Sequence, residues 1–415
     1  MTKTGEERAA VLAWIEERSR PVASVDPAAP LDDLRPLLSM VGDASVVGYG
    51  AGTRGAHELF DLQTRIARLL VEEGGFRAVA FEVDRGFGLR LDEYVRTGEG
   101  DLRALLKAAP PFTATEEVFG LLTWMRAFNR DHRERPVRLV GLAPHALDVA
   151  LHDEIVDHLR TVAPSRAREV ADLYAGLRPG PDEGPWAYVG RVRSGADRGA
   201  WARRARAAHA LVAELTTDSR MVWNAALIVQ FHEFHDHDPS PNDPHHMACL
   251  ERCFAENLTW WQGHLGEKVL WWTSSSHSSN GPGRAMSFPP APPRTLPNAG
   301  GFLRERLGSG YVSIGLTFRE GELASYTEAG DHRVPEAAPE LFESYLGPGD
   351  FLLDLRGSRP PAVAAWLART ARFRAIGPVY DPANDAAHHM TGGAPADWFD
   401  VLLHLHHVTP ARRLP

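Results

Sequence analysis

The hydrophobic pattern changes from strand-like to helix-like and back within the stretch Ser45 to Asp84. An apolar start at Val46 is followed by four closely spaced glycines, and hydrophobic residues then recur at helical spacing from Leu59 to Leu70. A second apolar run, Ala78 to Phe81, predicts another strand, and Glu82 follows at its carboxyl end. The pattern therefore predicts a strand, a glycine loop, a helix and a strand, which form a βαβ unit. The carboxyl ends of its parallel strands lie at one edge of the sheet, where α/β proteins bind their ligands.

Helical periodicity dominates the chain after this unit, from about Leu89 to His235, and a strand at Val137 to Leu142 interrupts it. We interpret residues 89–262 as a large helical lobe that carries this one core strand. Residues 1–88 and 263–415 then supply the two parts of an α/β core. The predicted fold class is α/β, with a central, mainly parallel sheet, flanking helices, and the helical lobe covering the edge of the sheet that would hold the active site.

Short apolar runs return after the lobe and predict five more strands. They cover Lys268 to Thr273, Tyr311 to Thr317, Phe351 to Leu355, Phe373 to Ile376 and Phe399 to Leu405. The proline-rich segment Ser287 to Pro297 is predicted to be a surface loop or flap. No internal repeat interrupts this order, so the pattern favours a single α/β core.

The composition is that of an ordinary globular chain and argues against several classes of partner. Hydrophobic residues make up 44% of the 415 residues and charged residues 24%. The net charge of −9 argues against nucleic acid or an anionic membrane as a partner. The sequence shows neither a secretory signal nor an apolar run long enough to span a bilayer, and its two cysteines, Cys249 and Cys253, fit a reducing compartment. We expect a cytoplasmic protein.

The glycine loop matches one known ligand-binding pattern. Gly50, Gly52 and Gly55 fall on the G-x-G-x-x-G fingerprint of dinucleotide sites, in which the backbone approaches a pyrophosphate and an acidic residue holds the ribose. Glu82 lies 27 positions after Gly55, whereas the fingerprint expects about 20. The pattern alone is a weak indication of a nucleotide site.

Several segments, in the same order along the chain, resemble the erythromycin esterase family. The segment Gly50 to Phe60, followed by Phe76 to Glu82, is similar to the family's opening motif G-E-A-T-H-G-x-H-E-F and its next strand, F-R-A-V-A-x-E. Further matching segments are Trp124 to Asn129, Val269 to Trp272 with His277, and Phe399 to Leu403. The resemblance implies an α/β enzyme with a small-molecule substrate of the macrolide or polyketide type, and hydrolysis of an ester or lactone.

The chain departs from the family at residues that the family is thought to use to activate water. Ala51 stands where the family has the glutamate of the opening motif, and Arg54 stands where it has the histidine. In the later W-x-H-N-x-H segment, Ser274 and Ser275 replace the first histidine and the asparagine, which leaves His277. Three functions stay open: an esterase diverged from lactone hydrolysis, a cyclase, dehydratase or isomerase of antibiotic biosynthesis that needs no attacking water, and a catalytically inactive binding protein.

Glu82, His277 and Arg54 are the candidate catalytic residues. A carboxylate at a strand end inside a covered site can act as a general acid or base, and the resemblance places the family's acidic residue at Glu82. His277 follows the strand Val269 to Trp272 and can transfer a proton near neutral pH. The guanidinium of Arg54 stays protonated, so it would bind a substrate carboxylate or stabilise an enolate or oxyanion.

Six further residues are candidates for substrate binding. They combine motif positions with histidines of the predicted lobe: His57, Glu58, Ser274, His145, His232 and His235. The run Phe231 to Asp238, with His245 and His246 after it, is dense in possible metal ligands, but its H-E-x-H spacing does not place two histidines one helical turn apart. We therefore predict a solvated loop that could supply an acid or base, and no metal or cofactor. The expected oligomeric state is a monomer or a homodimer.

Overall fold

The structure is a computed structural model that describes residues 5–180, 182–237, 243–281, 284–287, 289, 293–325 and 330–415. The chain forms two compact units, each assembled from separate segments. The first, the sheet unit, contains residues 1–81, 90–140 and 261–415. The second, the helical unit, contains residues 82–89 and 141–260.

The strands of the described residues build one large sheet and one small sheet. In chain order they are β1 (Arg20–Pro21), β2 (Val46–Ala51), β3 (Phe76–Phe81), β4 (Arg138–Gly141), β5 (Lys268–Ser274), β6 (Arg284–Ser287), β7 (Arg294–Leu296), β8 (Tyr311–Ala324), β9 (Asp331–Val334), β10 (Phe351–Asp354), β11 (Phe373–Arg374), β12 (His389–Thr391) and β13 (Val401–Val408). The large sheet has nine strands in the order β1-β10-β13-β8-β2-β5-β3-β4, with β9 paired to β8. Neighbouring strands from β13 to β3 are parallel. The predicted α/β class with a mainly parallel sheet is confirmed.

Helices cover the large sheet, which explains why its central strands are uniformly apolar. All six residues of β2 are buried, and so are five of the seven residues of β5. The helices that belong wholly or mostly to the sheet unit are α1 (Gly5–Arg18), α2 (Pro36–Val41), α3 (His57–Glu72), α4 (Arg85–Thr97), α5 (Leu102–Lys107), α6 (Glu116–Asp131), α13 (Ser275–Ser278), α14 (Ala299–Leu307), α15 (Pro361–Leu367) and α16 (Pro395–Trp398). Three short 3-10 helices complete the described part of this unit at Gly308–Gly310, Phe342–Tyr345 and Pro382–Ala387.

The small sheet corrects two predictions. The sequence predicts a strand of the central sheet at Phe373 to Ile376, but β11 pairs with β12 in an antiparallel sheet of order β11-β12-β6-β7. Its hydrophobic face explains the misleading pattern, because Phe373 and Met390 are fully buried in the core cluster that also contains Trp398. The loop predicted at Ser287 to Pro297 contains β7; its residues 288 and 290–292 lie outside the described residues.

The described part of the helical unit is built mainly from consecutive helices. They are α7 (Ala150–Val162), α8 (Ala167–Tyr174), α9 (Pro185–Ser194), α10 (Arg198–Leu215), α11 (Ser219–Asp236) and α12 (Pro244–Leu265). On α10, Ala202, Ala205 and Ala208 repeat every three residues and are fully buried, so that small side chains let the neighbouring helix approach closely. Among the described residues no helix is both long and apolar enough to cross a membrane.

The division into units differs from the predicted domain bounds, most extensively at residues 90–140. The sequence assigns all of residues 89–262 to the lobe, whereas residues 90–140 group with the sheet unit. The reason is packing: α6 lies against α3, and its Asn129 side chain donates to the backbone oxygens of Val95 and Val137, both at 2.9 Å. Helical periodicity shows that a segment is helical but does not show against which element it packs.

Candidate active site at the carboxyl edge of the sheet

The register of the parallel strands brings the predicted motifs to one edge of the sheet. Ala51, the last residue of β2, pairs with Ser274 of β5 on one side and with Leu316 of β8 on the other. On the far side of β5, Ala80 of β3 pairs with Trp271. Three motif segments that lie far apart in the sequence therefore end side by side.

Close backbone packing, and not a phosphate, accounts for the glycines of the loop. A Cβ atom on Gly50 would lie 2.3 Å from the Ser278 hydroxyl and 2.5 Å from the Ser274 carbonyl. The backbone of Gly52 is also engaged, since its amide donates to the Leu316 oxygen at 2.8 Å and its oxygen accepts from the Ile376 amide at 2.9 Å. The loop serves internal hydrogen bonding, which removes the physical basis of the nucleotide interpretation.

Arg54 lies in this loop, three residues after the end of β2, and is half-buried. Its guanidinium carbon lies 4.2 Å from the centre of the Phe112 ring, within cation–π distance. This contact restricts a long side chain that would otherwise be mobile. A guanidinium held in this way can bind a negatively charged atom with little further loss of side-chain entropy.

Glu82 is the residue directly after β3 and is 7% exposed. The strand end before it is fixed by aromatic packing, because the Phe81 and Trp272 rings lie 5.6 Å apart between their centres. The Trp272 ring also packs against those of Tyr49 and Phe60 at 6.1 and 5.7 Å. Glu82 itself groups with the helical unit.

His277 lies in the short helix α13, which follows β5 directly. Hydroxyl groups position this helix: Ser275 Oγ donates to the backbone oxygen of Gly50 at 2.6 Å, and Tyr311 Oη donates to the backbone oxygen of Ser278 at 2.6 Å. The Ser274 and Ser276 hydroxyls bond each other at 2.9 Å. The serine run that surrounds His277 thus has a structural use, and His277 is held on a firmly attached turn.

His57 and Glu58 open α3 and contact other parts of the sheet unit. His57 Nδ1 lies 2.7 Å from Glu117 Oε1 and its Nε2 lies 3.2 Å from Asp61 Oδ2. The hydrogen bond to Glu117 raises the pKa of His57. Glu58 accepts from both the amide and the hydroxyl of Thr409 at 2.6 Å, which fixes the segment after β13.

The histidines of the helical unit differ from the prediction. His232 and His235 lie inside α11 and are each 1% exposed, so the prediction of a solvated loop is wrong for them; residues 238–242 of the predicted loop lie outside the described residues. Burial lowers the pKa of each to about 3, so both are neutral at neutral pH. His235 Nε2 bonds the backbone oxygen of His145 at 3.0 Å. Their positions favour a packing role over proton transfer.

Sequence reasoning missed four residues that shape this region. Gln63 donates to the Tyr49 oxygen of β2 at 2.7 Å and to the Thr273 oxygen of β5 at 3.3 Å, which ties two strands together just below the edge. Asp61, Glu117 and Arg412 form the network around His57. The spacing of four residues between His57 and Asp61 is a visible signal of a shared helix face. No local sequence pattern indicates the contacts of Glu117 and Arg412, because their partners lie far away in the chain.

Comparison with known proteins identifies the family. A family model described as erythromycin esterase matches residues 71–408, more than half of the chain. The chain belongs to the erythromycin esterase family. The prediction from the motifs is therefore confirmed, and the matched residues include Glu82 and His277, whereas Arg54 lies before the first of them. Type II erythromycin esterase of Escherichia coli is 26% identical over 122 residues, which span 29% of this chain and 29% of that relative.

Solved structures of similar proteins extend the likeness to nearly the whole chain. A Bacillus cereus protein is 25% identical, with a TM-score of 0.81 over 98% of this chain and 99% of its own. A succinoglycan biosynthesis protein is also 25% identical, with a TM-score of 0.78 over 99% and 100%. A mutant erythromycin esterase in its open conformation is 15% identical and shares the fold, with a TM-score of 0.69 over 94% and 97%.

Proposed function

We propose that the chain is a hydrolase that cleaves an ester or lactone of a macrolide or other polyketide-type metabolite at the carboxyl edge of the sheet. Family membership supports an esterase-like activity. One observation supports the location: Arg54 and His277 each come three residues after the end of β2 and β5, Glu82 comes directly after β3, and these strands are neighbours in the order β2-β5-β3. These three positions supply a carboxylate, an imidazole and a guanidinium.

The three side chains suit the steps of ester hydrolysis. Glu82 takes a proton from water as the water oxygen attacks the carbonyl carbon. Arg54 stabilises the negative charge that develops on the carbonyl oxygen, since a guanidinium held in place needs little reorganisation. The carbon–oxygen bond to the alcohol then breaks, and His277 gives the leaving oxygen a proton. Glu82 releases its proton to solvent and His277 takes one up, so that both side chains return to their starting states. The products are a carboxylic acid and an alcohol, and no metal or cofactor takes part in this scheme.

A second candidate function has a specific observation in its favour. Ala51, where the family has a glutamate, is 1% exposed and places an apolar methyl group at the strand end. With this acid and the histidine at position 54 both replaced, fewer groups are available to activate water. A cyclisation, elimination or isomerisation in which Glu82 or His277 moves a proton and Arg54 stabilises an enolate needs no attacking water.

Turnover in water enriched in heavy oxygen separates these functions. Purified protein is incubated with a panel of macrolide lactones and simpler polyketide esters, and the products are analysed by mass spectrometry. Ester hydrolysis places one labelled oxygen in the acid product. An unlabelled isomer or a dehydrated product supports the second candidate function. Ligand-induced thermal stabilisation without any product supports a binding protein and contradicts both enzymatic proposals.

Variants test the assigned residues. We expect Glu82→Gln to lower kcat by about 100-fold or more, because it removes a general base while keeping the shape of the side chain. Glu267→Gln is the matched control, since Glu267 immediately precedes β5 at the opposite end of the sheet and pairs with the exposed Arg135. Unchanged turnover in Glu82→Gln would show that the base has been assigned wrongly.

A further inference from the structure

A groove of about 720 Å³ lies within the sheet unit, between α3, α6 and residues 24–28. We call it the α3–α6 groove. Asp61 and Arg68 of α3 line it, together with Glu117 and Trp124 of α6. Its volume falls within the range of about 300 to 1,000 Å³ that is typical of small-molecule sites. No step of the proposed hydrolysis uses this groove.

The groove lies on a different face of α3 from the one that packs on the sheet. His57, Asp61, Thr64 and Arg68 follow each other at intervals of four, three and four residues, which places them on one side of the helix. Gln63 lies on the other side, where it donates to the backbone of β2 and β5. A ligand in the groove would therefore contact side chains that the sheet does not use.

Most charged groups around the groove already have a partner of opposite charge. The ion pairs are Arg412 with Glu117 at 3.1 Å, Arg68 with Glu72 at 3.2 Å and Arg103 with Glu116 at 2.7 Å. Among the described residues Asp61 has one such partner, the imidazole of His57, which also bonds Glu117 at the shorter distance of 2.7 Å. Glu117 thus has two basic partners, His57 and Arg412, whereas Asp61 has the imidazole of His57 at the longer distance of 3.2 Å.

Burial adds to this imbalance. Asp61 is 6% exposed, and burial, the largest influence, raises the pKa of its carboxyl group to about 6. Glu117 is 3% exposed; its Oε1 is bonded by His57 and Arg412, whereas its Oε2 has no hydrogen-bond partner among the described residues. A buried carboxylate with few donors favours a bound cation, because a cation replaces interactions that were lost on leaving water.

We propose that the α3–α6 groove is a second ligand site, which binds an organic ammonium ion with its charged nitrogen on the Asp61 carboxylate and its apolar part against Trp124. The half-buried indole offers an aromatic face for the cation and its carbon skeleton. An anion is disfavoured because the arginines that line the groove are already paired. Within the described part of the chain no set of three His, Cys, Asp or Glu side chains is arranged to hold a metal ion, whereas an ammonium ion needs a single carboxylate.

Three probes with the same ring system and different charge test the ligand class. Tryptamine is a cation, tryptophol is its neutral counterpart and indole-3-propionate is an anion. Isothermal titration of the full chain should show saturable one-site binding of tryptamine. Binding of tryptophol should be weaker by about tenfold or more, because a hydrogen bond between charged groups is lost, and the anion should not bind.

Variants locate the site. We expect Asp61→Asn to weaken tryptamine binding by about tenfold or more, and Trp124→Leu to weaken it by about threefold or more. Asp32→Asn is the matched control, because Asp32 is an exposed acid paired with Arg35 outside the groove. Glu82→Gln should bind tryptamine as the unaltered chain does, so that this site and the proposed catalysis succeed or fail separately.

Three results would overturn the proposal: no binding of tryptamine, equal affinity for tryptophol, or unchanged affinity in Asp61→Asn. Circular dichroism and the melting temperature of each variant show whether it is folded. Trp124→Leu lies on another helix and gives an independent answer if Asp61→Asn does not fold.

Discussion

Acid should destabilise the helical unit through its buried histidines, and His152 is the best place to test this. His152 lies on α7, is 1% exposed, and packs edge-on against Tyr174 with ring centres 5.0 Å apart. Neither ring nitrogen has a hydrogen-bond partner among the described residues. Burial, assisted by the nearby Arg178, lowers the pKa of this imidazole from 6.5 to about 3.

The sign and size of the effect follow from proton binding. Between these two pKa values the unfolded chain protonates His152 and the folded chain does not, so the free energy of unfolding falls as the pH decreases below about 6.5. One pKa unit corresponds to about 1.4 kcal/mol, so near pH 5 this single residue lowers the stability by about 2 kcal/mol relative to pH 8. His232 and His235 in the same unit act in the same direction.

The perturbation is His152→Leu, which replaces the titrating imidazole with an apolar side chain of similar size. The free energy of unfolding is measured by denaturant titration near pH 8 and near pH 5. The unaltered chain should lose about 2 kcal/mol more than the variant between these conditions. Near pH 8 the variant should be at least as stable, because two unsatisfied buried nitrogens have been removed.

Hydrogen exchange assigns the loss to the correct unit. Amides of α7 and α11 should exchange faster near pH 5 than near pH 8, after correction for the intrinsic pH dependence of exchange, while those of β2 and β5 should change less. His264→Leu, which removes an exposed histidine from α12, is the control and should keep the pH response of the unaltered chain. An identical pH response in His152→Leu would refute the reasoning.

Three further substitutions test the packing of the sheet unit. Gly50→Ala should destabilise the fold by about 3 kcal/mol or more, because the added Cβ would lie 2.5 Å from backbone atoms of Ser274. The denaturation midpoint measures this loss. Gly263→Ala is the control and should be neutral or slightly stabilising, because its added methyl group meets no atom within 4 Å. Asp385→Asn should cost about 3 to 5 kcal/mol, since it removes the ion-pair partner that lies 2.7 Å from the fully buried Arg374 guanidinium. Tyr311→Phe should lower the melting temperature by a few degrees, because a buried hydrogen bond of 2.6 Å worth about 1 kcal/mol is lost.

Local patterning was sufficient for the elements around the candidate active site. The run of apolar residues, glycines and helical repeats from Ser45 to Asp84 predicts β2, α3 and β3, and the structure places them at Val46–Ala51, His57–Glu72 and Phe76–Phe81. Such periodicities arise from the geometry of a single element and need no knowledge of its neighbours. The family resemblance rests on the same local segments, and for this reason it was also visible in the sequence.

Contacts between distant positions were decided by the tertiary structure. The Phe373 segment has the composition of a core strand, yet it pairs with β12 in the small sheet. His57 bonds Glu117, 60 positions away, and Glu117 bonds Arg412, 295 positions further on. His232 was predicted to be solvated because a polar run surrounds it, whereas the packing of the helical unit buries it. The sequence by itself determined the order and type of most elements, because periodicity is local. Only the fold decided which side chains meet and which lose water, because both depend on residues that are distant in the chain.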